Sequence, residues 1–166
     1  MTETQYTIET SRSSFRTLRV THPDGRQTWL HSRYSPEQDC TLFADRRSEI
    51  LGHTVIIVLG CGLGYHLQGL LGGSNYRGMV FVIDALPLTS AHMQPIPDFD
   101  PARMHLLCGM SADTAIRSIS GMLDLDRQSR LIVLEHPASL RTFPEYYTAV
   151  HNGLKALIDR KISSMN

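Results

Sequence analysis

The chain predicts an α/β fold: a three-layer sandwich around a mostly parallel sheet, ordered 3-2-1-4 among its four parallel runs, with an N-terminal β-hairpin and helix. Two observations carry that expectation. Four short apolar runs, TVIIVL (54–59), MVFVI (79–83), MHLLC (104–108) and RLIVLE (130–135), are too short for helices and rich in residues that suit strands buried on both faces. Helical patterns fill most of the gaps between them, the alternation of βαβ units with right-handed crossovers. The length of 166 residues fits one domain, with 1–50 holding the hairpin and helix and 51–166 the βα units.

Each element has a local reason. Between Phe15 and Ser32, two β-favouring runs flank Pro23-Asp24-Gly25, where Pro presets φ and Gly tolerates a positive φ, so the segment reads as a hairpin. Ser35 can cap a helix that Pro36 opens, with Gln38 in the capping-box position and Leu42 and Phe43 turned to the core. After the first run, Leu67, Leu70 and Leu71 make an apolar stripe that Gly72-Gly73 ends. Pro87, Pro95, Pro97 and Pro101 crowd the second gap, which leaves room for only a short helix. Ser111 caps a pattern through Ile116, Ile119 and Leu123. Pro144 and Glu145 open a longer helix bearing Tyr147, Val150, Leu154, Leu157 and Ile158.

Composition narrows the functional classes. Sixteen basic residues balance sixteen acidic ones, so no overall field draws nucleic acid or an anionic membrane. All basic residues are Arg except Lys155 and Lys161, and no Lys follows the glycine cluster, which excludes a phosphate-binding P-loop. No apolar run is long enough to span a membrane and the N-terminus has no secretion pattern, so the expectation is a cytoplasmic protein. Cys40, Cys61 and Cys108 are three widely spaced cysteines, as expected of reduced thiols. The eight histidines form no HExxH and there is no paired CxxC, so no metal site is expected.

The stretch VIIVLGCGLGYHLQGLLGG (55–73) carries the chemistry. A strand running into Gly60-Cys61-Gly62-Leu63-Gly64 and then a helix presents backbone N–H groups to a ligand, and glycines permit the close approach. The GxGxG spacing is nearer to Rossmann-like S-adenosylmethionine enzymes than to classical dinucleotide folds. Asp84 ends the second strand, twenty residues beyond Gly64, where a carboxylate accepts from ribose hydroxyls. On the plainer reading, the glycines only turn the strand into its helix and Asp84 caps the next segment. Tyr65 and His66 either reach the cleft or are ordinary first-turn residues. Cys61 either gains thiolate character from the helix entrance or fills a tight loop. Glu135 and His136 end the fourth run, across the crevice from the glycine loop, and are the candidates for acid/base work.

Three stretches, LHSRYSPEQDCTLFAD, VIIVLGCGLGYHLQGLL with its acid-ended next strand, and EHPASLRTFPEYY, together resemble the N-terminal domain of the motility accessory factor proteins. These are bacterial glycosyltransferase-like proteins implicated in flagellin glycosylation with nonulosonic sugars, in a group that includes relatives of an archaeal hydroxymethylpterin diphosphokinase. The resemblance spans about residues 30–150, and the family's GxGxGYH pattern maps onto Gly60, Gly62, Gly64, Tyr65 and His66. It implies a Rossmann-like domain that binds a nucleotide or serves a following catalytic domain or second subunit, without a catalytic centre of its own. Two departures stand out: Asp84 replaces the more usual Glu, and the proline-rich gap replaces a fuller helix. The alternative is a methyltransferase, or its non-catalytic relative, using S-adenosylmethionine as cofactor, although such a sheet normally has seven strands.

Overall fold

The computed structural model describes residues 3–164, and two sheets organise them. The first is antiparallel, in the order β1 (Gln5–Thr10), β2 (Arg16–Thr21), β3 (Gln27–Trp29). The expected hairpin is the β2–β3 pair, with Gly25 at φ +88° in its turn. It is extended by β1, a strand not expected from the sequence, in which Tyr6 and Ile8 alternate with polar residues and pack against the core.

The helix expected from Ser35 is instead a run of 3-10 turns, Pro36–Thr41, Ala44–Arg46 and Glu49–Gly52. Ser35 makes no side-chain cap there. The first turn packs its backbone, not an apolar stripe, on the helix that follows the glycine loop: a Cβ on Gly69 would overlap the Cys40 carbonyl. Phe43 is buried as expected, whereas Leu42 is exposed.

The second sheet is parallel, built from β4 (Val55–Leu59), β5 (Met79–Asp84), β6 (Met104–Cys108) and β7 (Leu131–Glu135) in the order β6-β5-β4-β7. These labels differ from 3-2-1-4 because three antiparallel strands precede the parallel set in the chain and form a sheet of their own. The helices are α1 (Tyr65–Leu71), α2 (Ala112–Met122), α3 (Pro137–Thr142) and α4 (Pro144–Ser163). Ser111 caps α2 by accepting from the Thr114 amide. The proline-rich gap holds only the 3-10 turns Ser90–His92 and Pro101–Arg103.

Successive side chains of a strand point to opposite faces, and β4 shows why the fold has layers. Ile56 and Val58 join Leu18, Val20, Leu30, Phe43 and Leu67 on one side. Val55, Ile57 and Leu59 join Ile116, Ile119, Tyr147, Val150 and Leu154 from α2 and α4 on the other. The antiparallel sheet thus shares a core with α1 and the parallel sheet. Two polar ties reinforce this: Tyr65 Oη donates to the Arg16 carbonyl at 2.5 Å, and the Arg47 guanidinium donates to the carbonyls of Gly69, Leu70 and Gly72 at the end of α1. The architecture is α/β and compatible with a Rossmann-like fold. No helix among the described residues is long and apolar enough to cross a membrane.

Candidate functional site

The glycine loop has the predicted shape. Gly60, Gly62 and Gly64 adopt φ of +87°, +50° and +80°, a region that disfavours any side chain. Its amides, however, are all engaged within the chain. Gly60 N donates to the Ile83 carbonyl at 2.7 Å and Gly64 N to the Cys61 carbonyl at 2.8 Å. Cys61 N and Gly62 N donate to Asp84 Oδ2 at 2.8 and 3.1 Å, and Leu63 N donates to His31 Nε2 at 2.9 Å. Asp84 Oδ1 accepts from Leu86 N at 2.9 Å, and the residue is 1% exposed. Asp84 therefore serves as an internal acceptor, not as a ribose ligand; the plainer reading of the loop describes what the carboxylate does. A buried carboxylate needs such donors to be tolerated at all.

Neighbouring side chains close the rest of the loop. A Cβ on Gly62 would overlap the His31 imidazole, and one on Gly60 would overlap Ser139. Cys61 is fully buried; burial, the nearby Cys108 thiol and the Asp84 charge push its thiol pKa well up, opposing any thiolate character from the helix entrance.

Beside the loop lies a polar cluster that joins distant parts of the chain. His31 follows β3, Asp39 sits in the 3-10 turn Pro36–Thr41, and His136 follows β7. Because His31 Nε2 accepts from Leu63, its proton lies on Nδ1, which donates to Asp39 Oδ2 at 2.6 Å. His136 Nε2 donates to the same oxygen at 3.4 Å, and its Nδ1 accepts from Ser139 Oγ at 2.7 Å. The protons of both arms point towards Asp39. His66 stacks on His136 with ring centroids 4.3 Å apart and planes 2° from parallel. Its Nε2 donates to the Gly60 carbonyl at 2.8 Å, while Nδ1 is buried without a partner.

Burial sets the electrostatics. It pushes the His31 pKa down, against the opposing hydrogen bond to Asp39, and pushes that of His66 well down, helped by repulsion from His136 and His31. For Asp39 burial acts against the charge, but the hydrogen bonds from His136 and His31 outweigh it and hold the carboxyl below the usual range. Asp39 is thus a fixed negative charge whose side chain is 30% exposed.

Two familiar chemistries can be tested on this cluster. Its ligand atoms from His31, Asp39 and His136 lie within 4.8 Å of one another, close enough for a divalent cation. A metal on His31 Nδ1 would move the ring proton to Nε2, where the Leu63 N–H already points, so the donor set does not fit. Ser139, His136 and Asp39 have the composition of a hydrolytic triad. Ser139 is 1% exposed and faces the Gly60 backbone, so no substrate reaches its hydroxyl.

What faces outward is Asp39. With His31 and His136 it floors a pocket of about 530 Å³ whose walls include Trp29, Arg33, Tyr34 and Arg141. The pocket lies beyond the C-terminal end of β7, next to β4, the junction at which open α/β sheets hold their ligands. A second groove, about 380 Å³, is lined by Met93, Ile96, Phe99 and Met104 above the edge strand β6 and offers no charged group.

The predicted residues therefore part company. His66 and His136 enter the cluster, and Tyr65 anchors α1 to β2. Gly60, Gly62 and Gly64 shape the loop but present no free amide. Glu135 does not stand across from the loop with His136: it is exposed and pairs with His151 of α4 at 3.0 Å, because the last strand residue and its neighbour point to opposite faces. His31, Asp39, Arg33 and Arg141 went unassigned in the sequence. Their separation of up to about a hundred residues leaves no spacing signal, although His31, Arg33 and Asp39 lie within the stretch that carried the family resemblance. No protein-family model, curated protein or solved structure matches the chain.

Proposed function

We propose that the chain is a cytoplasmic Rossmann-like domain that binds a nucleotide-type ligand and acts as an accessory to a catalytic partner, as its resemblance to the motility accessory factor proteins implies. The ligand sits over His31, Asp39 and His136, not on the glycine loop. The pocket at the sheet junction supports this reading: it joins a half-open carboxylate to exposed arginines and aromatic rings. The absence of an accessible nucleophile in the cluster supports an accessory role.

The engaged loop amides and shielded Asp84 weigh against S-adenosylmethionine and nicotinamide dinucleotides as cofactors, since both would need those groups. A thermal-shift screen tests this. A nucleotide present at about a hundred times its dissociation constant should stabilise the domain by roughly 2.7 kcal/mol, readily visible as a melting shift, while the two cofactors should have no effect. Stabilisation by S-adenosylmethionine, with methyl transfer by the chain alone, would overturn the proposal.

A further inference from the structure

The pocket also constrains the chemistry of its occupant, an inference that rests on the junction pocket being the ligand site. Three groups on its walls have no hydrogen-bond or ion-pair partner among the described residues: Asp39 Oδ1, whose companion oxygen takes both histidines, and the guanidinium groups of Arg33 and Arg141. Arg33 is held in place by stacking on the Trp29 ring, 4.6 Å from its centroid. Arg141 lies in the last turn of α3, exposed at the rim.

We propose that this pocket takes a phosphorylated sugar, with the phosphoryl group on Arg33 and Arg141 and a sugar hydroxyl donating to Asp39 Oδ1. An ionised carboxylate can only accept, so the ligand must bring a donor to it. An anionic group at that place would be repelled and one at the arginines attracted, so the two ends of the ligand are chemically distinct. Two guanidinium groups against one carboxylate leave the walls with a net positive charge, which suits a dianion joined to a neutral polyol better than a zwitterion of no net charge. The volume of about 530 Å³ admits a molecule of that size. The same chemistry is offered by a free sugar phosphate and by the ribose phosphate of a nucleotide.

Calorimetric titration of the full chain with ribose 5-phosphate, ribose, inorganic phosphate, glycine and uridine 5′-monophosphate tests the proposal. Ribose 5-phosphate should bind more tightly than ribose or phosphate alone, with glycine showing no binding. Arg33→Ala and Arg141→Ala, both at exposed positions, should each weaken ribose 5-phosphate about tenfold or more. Asp39→Asn should remove the preference for ribose 5-phosphate over phosphate; if that variant does not fold, Arg141→Glu should abolish binding and decides in its place. Equal affinity for phosphate and ribose 5-phosphate, tighter binding of glycine, or affinities unchanged in the arginine variants would overturn it. Should uridine 5′-monophosphate bind with no dependence on Arg33 or Arg141, the nucleotide reading survives and this inference fails. Should ribose 5-phosphate bind through the arginines while no nucleotide stabilises the chain, the inference survives and the nucleotide reading fails.

Discussion

The glycine loop and the histidine cluster share His31, which accepts from Leu63 on one side and donates to Asp39 on the other, yet they end differently. In the loop, the carboxylate is sealed: both oxygens of Asp84 are taken by amides of its own chain. In the cluster, the carboxylate is held by two imidazoles on one oxygen and faces a pocket with the other. Similar groups thus yield a structural brace in one place and a candidate recognition site in the other. What separates them is a single unsatisfied acceptor.

The contrast can be broken most forcefully at Asp84. Asp84→Ala leaves the amides of Cys61, Gly62 and Leu86 buried without an acceptor and should lower stability by about 3 to 5 kcal/mol, with Asp84→Asn intermediate, as read by urea denaturation. A loss of ligand binding with stability unchanged would instead place Asp84 in a binding site. Next in size is Gly62→Val: a left-handed φ and the overlap with His31 should together cost about 2 to 3 kcal/mol by the same measurement, and the variant would also pull His31 from Leu63.

A third effect is a pH dependence from the cluster. His31 and His66 have folded pKa values below their ordinary value of 6.5, so below that pH the unfolded chain binds the protons first. Their contribution is complete above about pH 6.5 and is lost as pH falls, at up to about 1.4 kcal/mol per pH unit for each ring. Asp39 adds a loss in the same direction only below its unfolded pKa of 3.8. Stability measured from pH 8 to 5 should therefore fall, and His66→Gln should flatten the curve; a flat profile in the unaltered protein would show that the rings are not held neutral.

Much of the frame was legible because it follows from local pattern. The run VIIVL is apolar without alternation, as a strand covered on both faces must be, and β4 is buried throughout. Ser111 and Pro144 mark helix starts that need only the adjacent backbone. The 36–41 segment misled because its cap signals are real but Ser35 leaves them unused, and the turn docks by a carbonyl against a bare Gly69, a contact with no apolar signature. Likewise GxGxG followed by an acid describes the bend faithfully but not which atoms fill it. His31, the residue that plugs the bend, comes from the segment just after the antiparallel sheet, and nothing near Gly62 in the sequence names it.

The two ties on α1 bear on how the molecule opens. A helix of seven residues has little stability of its own in water, and here its beginning is fastened to β2 by Tyr65 and its end is gripped by Arg47. Neither anchor belongs to the parallel sheet. Loosening of residues 3–50 would therefore free both ends of α1 and withdraw His31 from the bend behind it, which couples the amino-terminal segment to the glycine loop.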